Sequence, residues 1–123
     1  MESRRIVPAP PTHSDRNYRI LRTAIERRWN VQAVYAGLPR LLSPHMMGWK
    51  RGEPHVFSYQ FGGFSHRGLH EEGSPLNFRC MRVALLHWLI LIPGRWHTSV
   101  ERPQDLGNCI DEIDVSVKWL EAA

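Results

Sequence analysis

Apolar side chains at three-to-four spacing give way, about thirty residues in, to apolar side chains at a spacing of two. Tyr18, Leu21, Ile25 and Trp29 share one face of a helix predicted from about Asp15 to Trp29. Ser14 or Asp15 is placed to accept hydrogen bonds from the free amides of its first turn. Arg16, Arg19, Arg22, Arg27 and Arg28 occupy much of the remaining surface, so the helix has a basic outer face. Ahead of it, Pro8, Pro10 and Pro11 with no apolar period predict a flexible arm over residues 1–13.

Beyond the helix, Val31, Ala33 and Tyr35 alternate with Gln32 and Val34, turn at Ala36-Gly37, and return through Leu38 to Ser43 as a hairpin ended by Pro44. A second turn near Gly52 launches a strand from His55 to Phe61. Residues 62–77 are too rich in glycine and charge for a regular element, and a loop of that length in a small domain is often functional. Phe78 to Ile92 reads as one long strand, or two broken near Leu85. Cys109 to Trp119 alternates again, with a bulge expected at Asp111-Glu112. One helix followed by short strands with hairpin connections predicts an α+β domain, residues 14–123, built as an N-terminal helix on a small antiparallel SH3/Sm-like β-barrel.

The chain has 123 residues, enough for a single core that removes roughly two-thirds of the unfolded surface from water. Its formal charge is +4, but residues 1–82 hold 13 Lys and Arg against 6 Asp and Glu while residues 83–123 hold 3 against 6. The basic part is therefore the front two-thirds, and it suits an anionic partner. Cys80 and Cys109 show neither metal-ligand spacing nor a disulfide framework, and read as buried free thiols of a reducing compartment. With no signal-peptide pattern and an apolar run, residues 84–92, far too short to span a bilayer, the expectation is a soluble cytoplasmic protein with no membrane partner.

Three segments carry the chemistry. They are Val31 to His45, with Tyr35, Gly37, Arg40 and Pro44-His45; His55-Val-Phe-Ser-Tyr59-Gln60; and Phe78-Arg79-Cys80-Met81-Arg82-Val83. In their order and spacing, over about residues 20–92, they resemble the WYL domain, in a short stand-alone form without a helix-turn-helix. Of the triplet that names that family, Ser58-Tyr59-Gln60 keeps the central Tyr. The last segment keeps both Arg and lacks the family's Asp. The resemblance implies an Sm-like or SH3-like barrel that binds nucleic acid or nucleotide-type ligands as a bacterial regulatory or phage-defence module.

On that footing Tyr59 offers a ring for a base, and Arg79 and Arg82 offer guanidinium forks for phosphate or carboxylate oxygens. Set three apart on a strand, the two Arg would point to opposite faces unless a bulge intervenes. The bland alternative is that one of them pairs with a nearby acid and closes the barrel. His45 and Arg67 complete the candidate set, Arg67 from a Gly-rich loop with His66 and His70. No metal-ligand pattern, nucleophile elbow or acid–base pair selects a reaction, so neither catalytic residues, metal nor cofactor is expected. The competing reading is a protein–protein interaction module with no such ligand. Apolar on both faces, residues 84–92 predict a homodimer contacting through Leu86, Trp88 and Ile90 or through Leu85, Leu89 and Leu91.

Overall fold

A computed structural model describes residues 12–103 and 108–118. Helix α1 runs His13–Arg27. It starts two residues earlier than the apolar period suggests, because Thr12 is the N-cap: its hydroxyl accepts from the Asp15 amide and the Asp15 carboxylate accepts from the Thr12 amide. Thr12 and His13 thus belong to the helix rather than to an arm, and the rest of the expected arm, residues 1–11, lies outside the described residues. Arg28 takes the left-handed conformation that ends the helix. Trp29 consequently falls off the buried face formed by Leu21, Ala24 and Ile25.

Six antiparallel strands follow: β1 Asn30–Tyr35, β2 Leu38–Lys50, β3 Glu53–Gly63, β4 Phe78–Arg82, β5 His87–Ile92 and β6 Glu112–Ser116. Their order is β4-β3-β2-β1-β5, with β6 also paired to β2. The described residues form an α+β fold of one α-helix and one sheet. Both early hairpins use two-residue turns, Ala36-Gly37 and Arg51-Gly52, with every residue at positive φ, the geometry that matches strand twist. A 3-10 turn at Val83–Leu85 separates β4 from β5, near the expected break.

Strand β2 is longer than the alternation predicts because it continues through Pro44. Its first half pairs with β1 and its second half with β6, and Pro44 falls between the two, where a missing N–H is least costly. Gly48 is needed there, since a Cβ would lie 1.9 Å from the Glu112 carbonyl oxygen. Bulges then bend the sheet. One extra residue in β2 is His45 and one in β3 is Phe61. A third in β6 is Asp114, not Asp111-Glu112 as the pattern suggests. The Asp114 bulge carries its carboxylate to Tyr18 and to Arg22, 2.5 Å away, tying β6 to the helix. Both bonds hold the Asp114 carboxyl below its ordinary pKa.

One residue before Tyr18, Asn17 donates from Nδ2 to the carbonyls of Val83 at 3.0 Å and Leu86 at 2.8 Å, so the helix start is pinned to the turn between β4 and β5. The core between helix and sheet contains Leu21, Ile25, Val31, Leu42, Met47 and Leu86, all buried.

The reading of the cysteines as free thiols is corrected. Cys80 on β4 and Cys109 ahead of β6 form a disulfide, with Cα atoms 5.6 Å apart. Sequence spacing hides it because β6 returns to β2, two strands from β4, and only that return brings residue 109 beside residue 80. The argument for a reducing compartment falls with it. Among the described residues no helix is long and apolar enough to cross a membrane.

Candidate functional site

Arg40 shares strand parity with Leu38 and Leu42, and Arg79 with Met81. A charged residue in register with apolar neighbours points where they point, and both guanidinium-bearing residues are buried, at 5% and 4% exposure. Arg40 on β2 donates to the Gln60 side-chain oxygen at 3.2 Å and to the Tyr35 carbonyl at 3.1 Å. Its guanidinium lies 5.7 Å from the centre of the Tyr35 ring. Arg79 on β4 donates to the carbonyls of Leu76 at 2.6 Å, Phe78 at 3.1 Å and Gly68 at 2.9 Å. It is therefore the clasp of the loop between β3 and β4.

Neither charge is neutralised: among the described residues no carboxylate makes a salt bridge to Arg40, Arg79 or Arg67. The Nε of Arg40 and that of Arg79 are buried without a hydrogen-bond partner. Hydrogen bonds to a charged group are worth about 1.5–3 kcal/mol each, whereas burying an ion costs several kcal/mol. Carbonyl partners offset that cost in part and leave the charge itself unmatched. A third cation sharpens the imbalance. Arg67, exposed on the β3–β4 loop, joins them around a pocket of about 210 Å³ lined also by Tyr35, Ser65 and His66. Burial pulls the Arg79 guanidinium below its ordinary pKa, and the charges of Arg67 and Arg40 pull it further. Burial does the same to Arg40, with Tyr35 opposing and Arg67 adding to the effect. Among the described residues that line it there is no acid, so the shared space is positively charged and its chemistry suits an anion.

The expected residues divide. Arg79 and Arg67 meet at this pocket. Arg82 does not, because alternation along β4 turns it away, and it pairs with Glu53 at 2.6 Å. Tyr59 is fully buried, its hydroxyl accepting from the Gly73 amide at 2.8 Å and the Asn77 side chain at 3.3 Å, and its ring edge-on to Phe78. That ring has no open face for a base.

His45, the bulged residue of β2, is fully buried against Trp96, with ring centres 4.1 Å apart. Its Nδ1 is 2.7 Å from the Ser43 carbonyl and therefore carries the proton it donates there; Nε2 then accepts from the Thr98 hydroxyl at 2.8 Å. Burial pushes its pKa down to about 3, so it is a neutral core residue. Among the described residues no three His, Cys, Asp or Glu side chains gather as metal ligands.

Sequence reasoning passed over Arg40 and Tyr35 as site residues, although the parity of Arg40 with Leu38 and Leu42 is a usable signal. The chain matches no protein-family model, no curated protein and no solved structure.

Proposed function

We propose that this chain is a non-enzymatic binding module for nucleotide-type or nucleic-acid anions, a small Sm- or SH3-like barrel acting in regulation as the WYL resemblance implies. The observation that carries this reading is the pair of buried guanidiniums, Arg40 and Arg79, which line one pocket with Arg67 and no acid among its described lining residues. Buried charges are ordinarily paired, so two buried guanidiniums held by neutral oxygens alone suit an anion from solution. Equilibrium binding of mononucleotides and short single-stranded oligonucleotides at two salt concentrations tests it. Binding that weakens with salt, and weakens in Arg67→Ala, is expected; no binding of either class removes the reading.

The alternative, a module that binds other proteins or a second copy of itself, is favoured by a different observation. Strand β5 leaves Trp88, Ile90 and Leu91 on the surface.

A further inference from the structure

The arginine pocket is small, and its cations are placed in advance. Arg40 is held by the Tyr35 carbonyl and by Gln60, whose own amide is fixed to the carbonyls of Gly62 and Phe64. Arg67 stands on a turn closed by the Gly68 amide on the Ser65 carbonyl at 3.0 Å and by the Arg67 amide on the Ser65 hydroxyl at 3.3 Å. The Gly68 carbonyl, next along the chain, is one that Arg79 clasps. The loop wall of the pocket is thus fastened by one of the three cations that line it, and an arriving anion meets an arrangement that is ordered beforehand.

Size and charge together select the anion. At about 210 Å³ the pocket lies below the roughly 300–1,000 Å³ of sites that enclose an organic molecule, so it holds an anionic group and leaves the rest of the ligand outside. The bonds that position Arg40 and Arg79 run to neutral oxygens and cancel no charge. Arg40 uses one N–H on each Nη, and Arg79 uses both on Nη1 and one on Nη2, so each keeps a terminal donor to spare. A phosphodiester brings a single negative charge to three cations. A terminal phosphate brings about two at neutral pH, with about three oxygens free to accept.

We infer that this pocket selects a phosphate dianion, the terminal phosphate of a free nucleotide or of a strand, over the phosphodiester linkage. This rests on the anion-binding reading above and names which anion the site takes. The phosphate sits among Arg40, Arg67 and Arg79, and the nucleoside stays outside.

Amide chemical-shift titrations of the full chain with monomethyl phosphate, dimethyl phosphate and sulfate at one salt concentration test the inference. Monomethyl phosphate is expected to bind about tenfold more tightly than dimethyl phosphate, with shifts at Ser65, His66 and Arg67. Its affinity relative to that of sulfate should fall about fourfold from about pH 7.5 to about pH 5.5, because it takes up a proton with a pKa near 6 while sulfate stays doubly charged. The sulfate arm also absorbs any effect of His66, the group on the lining that gains charge over the same range. Arg67→Gln should narrow the preference for the monoester. Equal affinities for the two esters, a monoester-to-sulfate ratio that does not change with pH, or sulfate failing to bind where the monoester binds would each overturn the inference and leave anion binding standing. Failure of all three, and of thymidine monophosphate with them, removes the anion reading itself. A thymidine tetranucleotide with and without a terminal phosphate separates the two sources: the phosphorylated strand binding at least as tightly as thymidine monophosphate supports recognition of a strand end, the mononucleotide binding more tightly supports the free nucleotide, and strands that bind equally with and without the terminal phosphate overturn the inference in favour of backbone contacts.

Discussion

The polar interior beneath β2, β3 and β4 and the outer strand β5 depart from the inside-apolar, outside-polar rule in opposite senses. In the first, Arg40, Arg79, His45, Gln60 and Asn77 are buried. In the second, Trp88 and Ile90 are 79% and 52% exposed. The interior is cross-linked. Asn77 accepts from the His70 amide and donates to the carbonyls of His70 and Glu71, and Gln60 donates to the carbonyls of Gly62 and Phe64. Among the described residues no carboxylate pairs with the two guanidiniums there, a charge that a small anion would satisfy.

Among the described residues strand β5 ends the sheet order and is paired on one side only, to β1. A bulge puts an extra residue into β5 opposite Gln32–Val34, and Trp88 sits within it at a φ of 50°, turned outward. What is exposed there is apolar area, which at about 25 cal/mol per Å² would favour contact with another surface. On the readings proposed above, the first region would take a ligand and the second a macromolecular contact.

The largest expected effect tests whether the interior is held closed covalently. The disulfide spans 29 residues, so replacing Cys80 and Cys109 together by Ser should lower the unfolding free energy by about 3–4 kcal/mol. Urea denaturation measures it, and an unchanged midpoint would place the interior's stability elsewhere.

Acid is the next lever. His45 is neutral in the fold with a pKa near 3 against 6.5 unfolded, so below pH 6.5 the unfolded chain takes up a proton that the folded chain refuses. Stability is therefore lost as pH falls from about 6.5 toward 3, by about 2–3 kcal/mol at pH 4.5. Glu72 and Asp114, whose carboxyls are held low chiefly by their bonds to His97 and Tyr18, lose stability in the same direction as they protonate. His45→Gln should remove the histidine share and leave theirs. A pH dependence identical to that of the parent would mean that the buried ring does not set it.

Arg67→Ala probes charge without touching packing, since the side chain is exposed. Nucleotide affinity should fall by about 1–3 kcal/mol with stability changed by less than about 0.5 kcal/mol. Arg82→Ala, which removes the surface pair to Glu53, should leave affinity nearly unchanged. Equal losses in the two variants would mean a diffuse electrostatic surface in place of a pocket.

The smallest effect on stability, and the sharpest on assembly, is expected on β5. Ile90→Lys should change the unfolding free energy by less than about 0.5 kcal/mol while converting a self-associated parent to the monomer in light scattering. A parent mass of 14.3 kDa, unchanged on dilution, would exclude the second copy as its partner.

Much of this is legible in the sequence. The helix, the Ala36-Gly37 hairpin, the break near Leu85 and the opposed directions of Arg79 and Arg82 follow from periods of three-to-four and two, because each depends on backbone geometry within a few residues. The exposed apolar strand was legible only as a stretch. Neither alternating set proposed for it survives intact, since Leu86 and Leu89 are buried while Trp88, Ile90 and Leu91 are exposed, and the bulge at Trp88 is what breaks the alternation.

The sequence by itself determined the elements, the excess of positive charge in the first two-thirds of the chain, and the presence of arginine at positions in register with core residues. Only the tertiary structure decided that Tyr59 and His45 are enclosed, that Arg40, Arg67 and Arg79 converge, and that Cys80 and Cys109 join. The reason is physical. Local propensity and strand parity act over a few residues, whereas these three outcomes depend on single-residue bulges in β2, β3 and β6 and on β6 returning to β2, each of which re-aims side chains that are far apart in the chain.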